Sequence, residues 1–180
     1  MSTINSATPE GEKQFPIDFE VDDSAQSLVN LLGKVRIWRD DSTPWHIDLR
    51  KSSYLGANAA AILVALLLES RFRKVAGRIT LPDGPPALLA FCESAGLNHF
   101  VTGSLLPDPN HPVDFTVAAR QIMQCALSDP DPVISLVRRH VGLSDEKEKY
   151  LRICINEVIQ NVEDHAQSPI GAIMCSRLGA

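Results

Sequence analysis

Four side chains able to carry chemistry recur at helical spacing late in the sequence: Glu157, Asn161, Asp164 and His165. Steps of three and four residues stack them along one side of a helix over about two turns. A carboxylate within hydrogen-bond reach of a water or hydroxyl can polarise it or act as a general base. An amide oxygen one turn further on can ligate magnesium, a hard cation that takes oxygen ligands and keeps waters beside substrate phosphates. The set would therefore suit a nucleotide site. The same spacing also describes the solvated polar face of any amphipathic helix, and spacing alone leaves both readings open.

The helix that must hold these residues has a clear start. Ser144 fits an N-cap, and Asp145 and Glu146 fall in the first turn, where the helix dipole favours negative charge. No proline or glycine interrupts the run from there to Ala166. Leu151, Cys154, Ile155, Val158, Ile159 and Val162 recur at the same spacing and predict a core-facing stripe beside the polar one. Upstream, Val133-Ile134-Ser135-Leu136-Val137 opens another helix after an Asp-Pro turn, and a further helix is expected from about Asp114 to Leu127. Residues 170–177 read as a closing strand.

The first hundred residues alternate between strand and helix. Val35-Arg36-Ile37-Trp38 and Trp45-His46-Ile47-Asp48-Leu49 show the two-residue period of half-buried strands. Residues 56–71 are almost wholly apolar in their middle, which predicts a helix packed on a sheet. Arg78-Ile79-Thr80-Leu81 is a short strand. Pro82-Asp83-Gly84 is a turn, Pro85 and Pro86 suit the first positions of a helix, and Gly96 suits its left-handed end. The alternation implies an α/β fold with at least partly parallel strands.

Two proline- and aspartate-rich stretches, residues 106–112 and 128–132, punctuate the chain. The first places a linker at residues 106–114, between a unit at 15–105 and a second at 115–180. Residues 1–14 are polar and read as a flexible tail without a signal peptide. With 44% apolar and 22% charged residues, the 180-residue chain has the composition of a globular protein. A net charge of −5 gives no electrostatic footprint for nucleic acid or an anionic membrane, and the longest apolar stretch is too short to span a bilayer. The four cysteines are scattered, without the spacing of a zinc site or redox couple. They read as reduced thiols, Cys92 and Cys154 on apolar helix faces, and point to a reducing, cytoplasmic setting. His46, His99, His111 and His140 stand singly and read as structural or solvated. A metalloenzyme built on Glu157, Asp164 and His165 is the weakest reading, because no second ligand cluster supports it.

Residues 45–101 resemble the second half of a STAS domain, the fold of anti-sigma-factor antagonists. The likeness rests on Ile47-Asp48-Leu49, on Gly56 opening a long apolar helix, on Arg78-Ile79-Thr80-Leu81, and on Ser94-Ala95-Gly96-Leu97 after Leu88-Leu89. Regulated members carry a phosphorylatable serine or threonine after an aspartate before that helix. Here Ser52 and Ser53 lie near the place, but no aspartate directly precedes them. They could form a phosphoswitch or simply cap the following helix.

The stretch Asn156-Glu157-Val158-Ile159-Gln160-Asn161-Val162-Glu163-Asp164-His165-Ala166 resembles the N-box of the GHKL ATPases, closest to the anti-sigma-factor serine kinases. The resemblance implies that Glu157 is the catalytic carboxylate, that Asn161 is the magnesium ligand, and that His165, with Asp164 less securely matched, lies near the phosphates of ATP. It implies a STAS-like mixed sheet with helices followed by the front part of a GHKL (Bergerat-type) α/β sandwich. The family's Asp-x-Gly-x-Gly adenine motif does not occur in the sequence. The expectation is accordingly a truncated, inactive form of an ATP-dependent signalling regulator. Its partner would be a sigma factor or antagonist protein, and homodimerisation is compatible with the fold. The alternative is a non-enzymatic STAS-type docking module with a degenerate GHKL segment.

Overall fold

A computed structural model of the chain describes residues 13–16, 25–40, 44–105, 116–122, 131–165, 170 and 172–177. The chain order is β1 (Lys13–Pro16), α1 (Ala25–Asp40), β2 (Trp45–Asp48), α2 (Ala57–Arg73), β3 (Gly77–Thr80), α3 (Pro86–Ser94), α4 (Leu97–Thr102), β4 (Thr116–Ile122), α5 (Asp131–Val141), α6 (Asp145–His165) and β5 (Ala172–Arg177). Strands β1, β2 and β3 form a parallel sheet in that order, and β4 and β5 form an antiparallel pair. Parallel neighbours cannot be joined by a hairpin, and α1 and α2 supply the two crossovers. The architecture is mixed α/β.

The core is built on α2. Ala59, Ala60, Leu63 and Val64 are fully buried there, clustered with Ile47 and Leu49 from around β2, Ile79 of β3, and Leu88, Phe91, Cys92 and Leu97 of α3 and α4. Trp45 leads β2 into this core, and its indole Nε1 donates to Ser70 Oγ at 2.8 Å. The β2–β3 register sets Trp45 opposite Gly77. A Cβ at Gly77 would lie 2.3 Å from the Trp45 ring, so only glycine leaves room for the indole. Gly96 takes φ 75° between α3 and α4, in the left-handed position expected of it. Pro86 opens α3, since the first turn has no use for its missing N–H.

Two expected elements are of the other type. Residues 35–38 belong to α1 and not to a strand. Their four-residue alternation sits inside a longer helical repeat, Leu28, Leu31, Leu32 and Val35, whose Leu31 is fully buried. Thr116–Ile122 is strand β4, where a helix over 114–127 is expected. Ala118, Ala119, Arg120 and Gln121 favour helix locally, but pairing with β5 overrides that preference, with a register shift between Val117 and Arg120. Strand β1 begins at Lys13, two residues inside the expected tail, and α4 is an additional short helix. The expected linker, residues 106–114, lies outside the described residues. Both strands that follow it approach α2, and β4 also reaches α3 and α5. Among the described residues no helix is long and apolar enough to cross a membrane.

Candidate functional site

Helix α6 carries the expected polar stripe. Its N-terminus is set by Ser144, whose carbonyl accepts from Glu148 N–H at 2.9 Å and whose hydroxyl accepts from Lys147 N–H at 3.4 Å. Asp145, Glu146 and Glu148 occupy the first turn, the favourable end of the dipole. The helix packs on α5, which buries Ile134 and Leu136. An ion-pair network joins the two: Arg138 meets Glu148, and Arg152 meets both Asp131 (2.5 Å) and Glu148 (3.4 Å). The hydrogen bond to Asp131, before any other cause, raises the Arg152 pKa. These pairs lie along the side of α6 turned to α5 and mark how the helix is rotated about its axis.

With that rotation, Glu157, Asn161 and Asp164 are all exposed on one side of α6. Gln160 Nε2 donates to Asp164 Oδ1 at 3.0 Å, one turn back along the same helix. His165 is the last residue of α6, and its side chain lies outside the described residues. Glu157 and Asn161 offer a carboxylate and an amide oxygen one turn apart, both open to solvent. Hard oxygen donors of this kind, few in number and leaving room for water, fit magnesium beside a phosphate. Among the described residues no group of three or more histidine, cysteine, aspartate or glutamate side chains could hold a metal ion.

The core stripe of α6 is narrower than the spacing predicts. Ile159 is buried and Leu151 and Ile155 are half-buried, but Cys154 and Val158 are exposed, and Val162 lies outside the described side chains. Cys154 is therefore not a core thiol. Cys92 is one, and burial pushes its pKa up to about 11.

A second polar group, not anticipated from spacing, lies on the sheet. The β2–β3 register places His46 beside Arg78 and Asp48 beside Thr80, on the face opposite Trp45 and Ile47. Arg78 Nη2 lies 3.3 Å from His46 Nδ1, and His46 Nε2 lies 2.8 Å from Thr80 Oγ1. A guanidinium can only donate, so Nδ1 accepts and Nε2 carries the proton donated to Thr80. His46 is buried between these two partners. Arg50 grips Asp48 through Nε and Nη2, and its backbone N–H donates to the same carboxylate at 3.0 Å. The Arg50 side-chain hydrogen bonds hold the Asp48 carboxyl at a pKa of about 2, against a smaller opposing effect of burial. The signal that could have found this cluster is the pairing register, which no single strand reveals.

In the loop before α2, Ser52 is buried and its N–H donates to the Leu49 carbonyl at 2.9 Å, whereas Ser53 is exposed. Helix α2 has Gly56 at its N-cap without a side-chain cap. Neither serine caps it. No protein family, curated protein or solved structure matches the chain.

Proposed function

We propose that the chain belongs to an ATP-dependent signalling regulator of the anti-sigma-factor serine-kinase type, with a STAS-like docking segment at 15–105 and the N-box part of a GHKL domain at 115–180. The observation that carries the reading is the side-by-side, solvent-open placement of Glu157, Asn161 and Asp164 on one uninterrupted helix. Glu157 would polarise a water or an acceptor hydroxyl. The Asn161 amide oxygen would hold magnesium, and Asp164 and His165 would border the phosphates. Magnesium, when bound, neutralises charge on the phosphate oxygens, and phosphoryl transfer needs little from the protein beyond positioning and such neutralisation. The acceptor would be a regulatory protein in the cytoplasm, such as a sigma factor or its antagonist.

The test is calorimetric titration with Mg-ATP of this chain and of any longer product its reading frame encodes, since the sequence contains no Asp-x-Gly-x-Gly stretch for adenine. In the form that binds, Glu157→Ala should retain nucleotide binding and lose turnover. Asn161→Ala should weaken magnesium-dependent binding roughly tenfold. Normal turnover by both variants removes the assigned roles. The missing adenine motif favours one second reading, a non-enzymatic STAS-type docking module, and failure of every form to bind Mg-ATP would select it.

A further inference from the structure

We draw no further inference here: the strongest candidate, the exposed row of Tyr150, Cys154 and Val158 along one side of α6, carries nothing because nothing in the structure shows what covers it.

Discussion

Trp45 and Gly77 face each other across the β2–β3 pair, and the indole is tied by its N–H to Ser70. That bond removes the freedom the ring would need to make way for a side chain. Gly77→Ala therefore brings a Cβ to 2.3 Å from a ring that cannot swing aside. Overpacking of this kind costs about 1–3 kcal/mol, which a urea midpoint would register and which Trp45→Phe, offering a smaller ring, should partly relieve. An unchanged midpoint would mean that the strand can move at no cost. Asp48 sets a pH dependence on the same two strands. Its folded pKa of about 2 lies below the ordinary 3.8, so the Arg50 ion pair contributes above about pH 4 and is lost as pH falls toward 2. The Arg50 side chain is exposed, and screening by water keeps the effect small. Asp48→Asn should lower stability slightly at pH 7 and not at pH 2, and an equal loss at both would assign the effect to something other than charge. Trp45 and Asp48 are each visible in the sequence as residues of a strand. Their partners are not, because the match of Trp45 to Gly77 and of Asp48 to Thr80 exists only once register is set.

At the scale of elements, legibility follows how much of the signal is local. Helix α2 declares itself by an unbroken apolar run, α3 by Pro86 and the glycine beyond its end, and α6 by its Ser144 start and a continuous 3.6-residue pattern. Strand β4 could not be read that way. Its middle is made of helix-favouring residues, and its partner β5 begins fifty residues further along the chain. The polar stripe of α6 was likewise readable, whereas the direction of its apolar stripe was not. That direction belongs to the packing of α6 on α5, whose Asp131 and Arg138 lie against the same side of α6 as buried Ile159, with Val158 outward. The Ser144 cap is the part of this arrangement most open to test. Its hydroxyl bond to Lys147 N–H is long at 3.4 Å, so Ser144→Ala should cost about 0.5 kcal/mol, the low end for a lost cap. Amide exchange at Lys147 and Glu148 should quicken while exchange near Ile159 stays as it was. Unchanged exchange in the first turn would show that the hydroxyl does not cap α6.

Over the whole molecule, α2 is the helix that the rest of the chain is built around. One side, lined by Leu63, Val64 and Leu67, is buried in the core it shares with Ile47 of β2 and Ile79 of β3. Strand β5, from the far end of the sequence, also packs on α2, with β4 beside it. A helix flanked by two sheets has little use for a wide polar face, which accounts for the apolar run that marks residues 57–68 in the sequence. The composition break at residues 106–112 points to two units, yet the strands after it close onto a helix before it. Contacts of this kind make opening cooperative across the break. Leu63→Ala removes a side chain that is 1% exposed and should destabilise the chain by about 2–5 kcal/mol. Amide exchange then distinguishes one cooperative body from two. If α2 couples the sheets, amides of β2 and of β4–β5 lose protection together in Leu63→Ala, by similar free energies. If β2 opens while β4 and β5 keep the protection of the parent chain, the packing on α2 is contact without coupling, and the break at residues 106–112 divides two bodies that fold independently.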